Sequence, residues 1–180
     1  MTDDGRWSEE GPARADPIIL TLQLDEASAA FFERQRQAHF PLAINRIPAH
    51  LTLFHKLPGE EADRVLAEVA QATRRPAFPV AVEALMPLGR GVAYRLASPT
   101  LGAVRSDLAR RFERWLTGQD RERFRPHVTV QNKVTPERAK ATLAELERSF
   151  HPFTATAEGL QLWHYRGGPW SPLAAIAFAR

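Results

Sequence analysis

A His–apolar–Thr–apolar pattern occurs twice in this chain, at residues 50–53 (HLTL) and again 77 positions later at residues 127–130 (HVTV). In a β-strand, alternate side chains point to opposite faces of the sheet. Each copy therefore offers an apolar face to a core and a His/Thr face to the opposite side. If two such strands border one cleft, two imidazoles and two hydroxyls meet there.

Strand and helix patterns alternate along the chain from Pro17 onward. Short β-rich segments predict strands at 18–24, 50–56, 78–85, 92–97, 126–132, 154–165 and 173–178. Apolar residues at helical spacing predict helices at about 25–38, 60–73, 98–117 and 135–150. Glycine turns at 89–91 and 167–169 join neighbouring strands as hairpins. This mixture predicts an α+β fold with mainly antiparallel sheets rather than a parallel βαβ fold.

Length and composition fit one globular domain. The chain has 180 residues, of which 44% are hydrophobic and 25% are charged, as in average globular proteins. Residues 1–16 are polar and predict a flexible leader, so that residues 17–180 form the domain. No apolar stretch approaches the roughly 18 residues of a membrane helix, and no signal-peptide pattern opens the sequence. We therefore expect a cytoplasmic protein without a membrane partner. We also expect a monomer, and the sequence itself leaves the oligomeric state open.

The charge is unevenly distributed. The chain carries +3 overall, and residues 1–16 carry −3 (five acidic, two basic), so the other 164 residues carry +6. A basic body favours polyanions such as nucleic acid, although 21 of the 24 basic residues are arginine, a bias that genome composition also produces. The arginines between 105 and 125 alternate with acidic residues and predict a solvated, salt-bridged helix face. Whether that stretch binds RNA stays open.

The two His/Thr pairs suit the cleavage of a phosphodiester. This reaction needs a base that takes a proton from water and an acid that protonates the leaving oxygen, and histidine does either near neutral pH. Threonine hydroxyls can hold the non-bridging phosphate oxygens. The chain has no cysteine and no HExxH pattern, so we expect no zinc site, and the scheme itself requires no metal or other cofactor.

The paired motifs, the segment 124–130 (FRPHVTV) and the chain length resemble the 2H phosphoesterase superfamily, and most closely its bacterial 2′-5′ RNA ligase-like branch. The resemblance implies two similar lobes, each with a mainly antiparallel sheet and outer helices, around an active-site cleft. It implies metal-independent opening of 2′,3′-cyclic phosphate ends of RNA or nucleotides to 2′-phosphates. In some members the same site reversibly joins RNA ends through 2′-5′ links.

Carried over to this sequence, the resemblance makes His50 and His127 the acid/base pair and makes Thr52 and Thr129 the residues that hold the phosphate. Which histidine is the base does not follow from the sequence. An alternative is a single-stranded RNA-binding module that uses the same cleft without turnover. Another is a phosphodiesterase for a different cyclic or terminal phosphodiester.

Strand alternation extends the predicted site by a few residues. Phe54 shares the predicted face of His50 and is a candidate for stacking on a base. Arg125 and Lys133 share the predicted face of His127 and are candidates for contacts with flanking phosphates. The alternatives are a core position for Phe54 and solvated edge positions for the two cations. His55 falls on the opposite face and is left outside the predicted site.

Overall fold

The computed structural model describes residues 15–179. Its strands are β1 (Ile18–Leu24), β2 (Leu51–Leu57), β3 (Phe78–Pro87), β4 (Val92–Ala97), β5 (His127–Gln131), β6 (Phe153–His164) and β7 (Ser171–Ala177). Its α-helices are α1 (Glu26–His39), α2 (Ala62–Ala72), α3 (Pro99–Arg111), α4 (Gly118–Arg121) and α5 (Pro136–Ser149). The predicted order of strands and helices is confirmed, except that the short helix α4 was not predicted.

Capping residues begin the three longest helices. The side chains of Asp25, Ser98 and Thr135 each accept a hydrogen bond from the backbone N–H three residues later, at 2.9, 3.1 and 3.2 Å. Such bonds satisfy N–H groups that have no partner within the helix. Pro99 and Pro136 occupy the first turns of α3 and α5, where the missing N–H of proline costs little.

The strands form one antiparallel sheet in the order β2-β1-β6-β3-β4-β5, with β7 beside β6. The long strand β6 joins two halves, because residues 153–157 pair with β3 and residues 157–164 pair with β1. The sheet curls, so that β2 and β5, at opposite ends of the strand order, contact each other. This confirms the predicted α+β fold of two similar halves around a cleft.

The same order of elements occurs in both halves, as β1-α1-β2-α2 and as β4-α3-β5-α5 with the short α4 inserted before β5. Helix α1 packs on β5, and α5 packs on β3 and β4. Helix α3 packs against α2, and its Arg105 side chain donates a hydrogen bond to the Leu53 carbonyl in β2. The first helix of each half therefore contacts the motif strand of the other half.

The apolar residues of both motifs lie in the core, as the alternation predicts. Leu51, Leu53 and Val128 each expose 1% of their surface, and Val130 exposes none. Burying four aliphatic side chains stabilises the fold by roughly 1.5–3 kcal/mol each. The apolar faces of the two motif strands therefore pack into the core, and the His/Thr faces lie on the opposite side of each strand.

The predicted helix over residues 98–117 is too long, because α3 ends at Arg111. Phe112 leaves helical geometry (φ −95°, ψ 5°) and is fully buried. The Thr117 side chain then caps the separate helix α4. The helical spacing of apolar residues continues to Leu116, so the pattern could not indicate this break.

Two further expectations concern the ends of the chain and the membrane. Of the predicted leader, residues 1–14 lie outside the described residues, and Asp16 forms an ion pair with Arg166 at 2.9 Å. None of the helices in residues 15–179 is both long enough and apolar enough to cross a membrane.

Candidate active site

The four motif side chains line a single cavity of about 190 Å³ at the place where β2 and β5 meet. His50 lies directly before β2, and Thr52 lies within it. His127 and Thr129 lie in β5. A larger cavity of about 410 Å³ lies beside Trp115, but no histidine is among its described lining residues. We therefore identify the smaller cavity as the candidate active site because of the residues that line it, and not because of its volume.

Both motif histidines are held in the same way by the backbone. Nδ1 of His50 lies 2.8 Å from the carbonyl oxygen of Pro48, and Nδ1 of His127 lies 2.7 Å from that of Arg125. A carbonyl oxygen only accepts hydrogen bonds, so Nδ1 carries the proton in each ring. The hydrogen bond at Nδ1 thus fixes the tautomer of each neutral ring and leaves its Nε2 for a ligand.

His50 is neutral at pH 7. Burial lowers its pKa to about 4, and Coulombic repulsion by Arg36 and, when their rings are protonated, by His55 and His127 acts in the same direction. The Pro48 carbonyl, which accepts from Nδ1, opposes this lowering only in part. A neutral ring with its proton on Nδ1 has a free lone pair on Nε2, which is the form that accepts a proton.

Strand β2 contains a β-bulge directly after the threonine of its motif. Thr52 pairs with Thr21 of β1, whereas Phe54 pairs with Leu20, so Leu53 is an extra residue in the ladder. A bulge reverses the face on which the following side chains lie. Leu53 and Phe54 are therefore both buried, although they are neighbours in sequence.

Strand β5 contains the equivalent irregularity. Thr129 pairs with Ala93 of β4 and Gln131 pairs with Val92, so Val130 is the extra residue. Val130 and Gln131 are both buried as a result. The two motif strands thus share the His-x-Thr face and the bulge that ends it.

The bulge makes the prediction for Phe54 wrong. Its side chain is fully buried, with its ring centroid 5.3 Å from that of Phe112 and with the Arg105 guanidinium 3.8 Å above it. A ring in this position fills the core and cannot stack on a substrate base. The available signal was the pair of consecutive apolar residues, Leu53 and Phe54, which interrupts the alternation of the strand.

The same bulge brings His55 into the cavity, where alternation had excluded it. Trp170, in the loop before β7, also lines the cavity. Its ring centroid lies 4.6 Å from that of His50, at an interplanar angle of 56°. The Trp163 ring packs beside that of Trp170, with 6.2 Å between their centroids, and its indole N–H donates to the Thr21 hydroxyl at 2.9 Å. No local pattern connects position 170 with position 50, so sequence reasoning missed this tryptophan.

Arg125 and Lys133 are exposed, and neither is among the described residues that line the histidine cavity. The backbone of Arg125 takes part in the site through its carbonyl, which holds His127. Lys133 lines a separate groove of about 580 Å³ together with Arg90 and Arg138. Contacts of Arg125 and Lys133 with flanking phosphates stay a prediction.

Two buried arginines fix the motif strands near their bulges. Arg36 of α1 donates to the Thr129 carbonyl at 2.9 Å, and Arg105 of α3 donates to the Leu53 carbonyl at 2.7 Å. Burial lowers the pKa of both arginines, yet a guanidinium stays charged at neutral pH. Arg105 therefore does not belong to the exposed, salt-bridged face predicted for its stretch, whereas Arg110 does, through its contact with Asp107.

A family model described as the 2′-5′ RNA ligase superfamily matches residues 24–169. The chain belongs to this superfamily. The resemblance to the 2H phosphoesterases and their 2′-5′ RNA ligase-like branch is thereby confirmed, and with it the assignment of the chain to a class of phosphoesterases that act on RNA or nucleotides. A search of the curated proteins found no match.

Two solved structures have the same fold as this chain. The crystal structure of TT0787 of Thermus thermophilus is 17% identical, with a TM-score of 0.66, over 90% of this chain and 97% of that one. The structure of E. coli LigT complexed with 3′-AMP is 18% identical, with a TM-score of 0.61, over 92% of this chain and 99% of that one. At such identities the likeness shows the fold alone.

Proposed function

We propose that this protein opens 2′,3′-cyclic phosphate ends of RNA or nucleotides to 2′-phosphates by acid/base catalysis with His50 and His127, without a metal. The observation that carries the proposal is the matched geometry of the two rings. Each donates Nδ1–H to a backbone carbonyl two residues earlier, which leaves two Nε2 atoms and two threonine hydroxyls for one cavity.

The lowered pKa of His50 favours it as the base. Its Nε2 takes a proton from water while the water oxygen forms a bond to phosphorus. The bond between phosphorus and the ribose 3′-oxygen breaks, and Nε2–H of a protonated His127 donates the proton that this oxygen requires. Exchange with solvent returns both rings to their starting forms. The product is a 2′-phosphate with a free 3′-hydroxyl.

Thr52 and Thr129 supply the electrostatic part of the mechanism. Both hydroxyls line the cavity beside the histidines, and hydroxyls that donate to the non-bridging oxygens stabilise the charge that develops there. The same scheme runs with an RNA 5′-hydroxyl in place of water, which forms a 2′-5′ link. We therefore include reversible 2′-5′ ligation in the proposal.

Trp170 favours a nucleotide substrate over a small cyclic phosphate. The cavity of about 190 Å³ is open to solvent, so a substrate with its phosphate beside the histidines can extend out of the cavity past this ring. Trp170 borders the cavity beside His50 and is half-buried, so its ring is available for stacking with a base.

The test is turnover of a 2′,3′-cyclic nucleotide by the wild type, His50→Ala and His127→Ala, with the exposed His151→Ala as the matched control. Each site variant should lose about 10²–10⁴-fold in rate. The control should match the wild type, and a chelator should have no effect. The product should be the 2′-phosphate. Wild-type rates in both site variants would refute the proposal, and tight RNA binding without turnover would favour the RNA-binding module instead.

A further inference from the structure

The cavity contains a third imidazole for which the proposed mechanism has no role. His55 lies in β2 three positions after Thr52 and lines the cavity together with His50 and His127. It faces the cavity because the bulge at Leu53 reverses the alternation of the strand. The side chain is 44% exposed, so the ring is accessible to a ligand in the cavity.

A buried carboxylate holds this ring. Asp120 of α4 exposes 2% of its surface, and its Oδ1 lies 2.9 Å from Nδ1 of His55. The backbone N–H groups of His55 and Lys56 also donate to the carboxylate, at 2.9 to 3.1 Å. Burial alone would raise the pKa of Asp120, but these hydrogen bonds lower it overall. The group is therefore an ionised acceptor.

Because a carboxylate only accepts, Nδ1 of His55 carries a proton, and Nε2 is the nitrogen left for a ligand. The charged and titratable groups near the ring are Asp120 of α4, Arg105 of α3, which donates to the Asp120 backbone carbonyl at 2.6 Å, His50, directly before β2, and His127 of β5. The Arg105 guanidinium opposes the negative charge of Asp120, and none of the other groups is acidic.

We propose that His55 binds the substrate phosphate as an imidazolium, as a third phosphate-binding group beside the two threonines. Its Nδ1–H donates to Asp120, which positions the ring, and its Nε2–H donates to a non-bridging phosphate oxygen. This inference rests on the proposed function, since it places a phosphate in the same cavity. The Asp120 carboxylate accepts hydrogen bonds from the backbone N–H groups of His55 and Lys56, and these bonds do not depend on the side chain at position 55. A ring nitrogen tied to a buried carboxylate and exposed to the cavity is the feature that points to a ligand.

The experiment measures inorganic phosphate binding to the full chain with ¹⁵N-labelled histidines, in the wild type, His55→Ala and His55→Gln. Glutamine places an N–H donor near the position of Nε2, and His151→Ala is again the matched control. We expect phosphate to shift the Nε2 resonance of His55 in the wild type. His55→Ala should bind phosphate about tenfold more weakly, as expected for the loss of one charge-assisted hydrogen bond, and His55→Gln should recover most of that affinity.

In the kinetic arm, His55→Ala should raise KM for a cyclic nucleotide more than it lowers kcat, whereas His127→Ala should mainly lower kcat. A folded His55→Ala protein with wild-type phosphate affinity would overturn the inference. If that variant does not fold, a wild-type Nε2 resonance that phosphate leaves unchanged would overturn it equally. A wild type that binds phosphate through His55 but opens no cyclic phosphate would refute the proposed function and leave this contact standing.

Discussion

Acidification should destabilise the folded protein through His50, and His50→Gln should remove this part of the pH dependence. Burial, with the positive charges nearby, lowers the pKa of His50 from 6.5 to about 4. In the unfolded chain the same ring takes up a proton near pH ~6.5. Between these two values the unfolded state binds more protons, so the free energy of unfolding falls as the pH falls. Below about pH 4 both states are protonated, and the effect stops growing.

The size of this effect follows from the difference between the two pKa values. At 1.36 kcal/mol for each pH unit, its upper bound is roughly 3 kcal/mol. His50 borders an open cavity, so solvent screens part of the cost. We expect a loss of about 1–2 kcal/mol between about pH 7.5 and pH 5 that is specific to His50. The assay is urea unfolding followed by tryptophan fluorescence at several pH values.

The deciding comparison is between the wild type and the variants in the slope of the free energy of unfolding against pH. The control, His151→Gln, changes an exposed histidine outside the cavity and should keep the wild-type slope. His50→Gln should have a shallower slope in the acidic range. Equal slopes for the wild type and His50→Gln would refute the low pKa of His50, and with it the reason for choosing this ring as the base.

Three further predictions test the surroundings of the site. Trp170→Ala should raise KM for a cyclic nucleotide about tenfold with little change in kcat, because one stacked base contributes roughly 1–3 kcal/mol; an unchanged KM in steady-state kinetics would remove the stacking role. Phe54→Ala should lower the free energy of unfolding by about 3–5 kcal/mol in urea, and a stable variant with a raised KM would contradict its place in the core. Arg105→Met leaves two buried carbonyls unpaired and should lower the free energy of unfolding by about 2–4 kcal/mol. The exposed Arg110→Met should lower it by less than about 1 kcal/mol. Similar losses for both variants in urea unfolding would contradict the structural role of Arg105.

Regular alternation and capping made most of the fold predictable from the sequence. Strands β1 and β4 have the predicted bounds, and Asp25 caps α1 as its position before the apolar spacing suggests. The His/Thr pairs were also predictable, since alternation alone places His50 with Thr52. Both results depend on short-range periodicity, which a single sequence displays directly.

The remaining features depend on contacts that periodicity does not describe. A bulge adds one residue to a strand, and this reverses the predicted faces of Phe54 and His55. The break after α3 depends on Phe112, which leaves the helix to enter the core. Trp170 reaches His50 through the pairing of β7 with β6 and of β6 with β1. Tertiary packing, and not local preference, determines these features.

The central claim is that two imidazoles act as a pair on one phosphate. The most direct test is the rate at which the wild type, His50→Ala, His127→Ala and the double variant open a 2′,3′-cyclic nucleotide. Groups that act together in one step are strongly non-additive. We expect each single variant to lose about 10²–10⁴-fold and the double variant to be about as slow as the slower single variant. Wild-type rates in either single variant, or losses that multiply in the double variant, would contradict the claim.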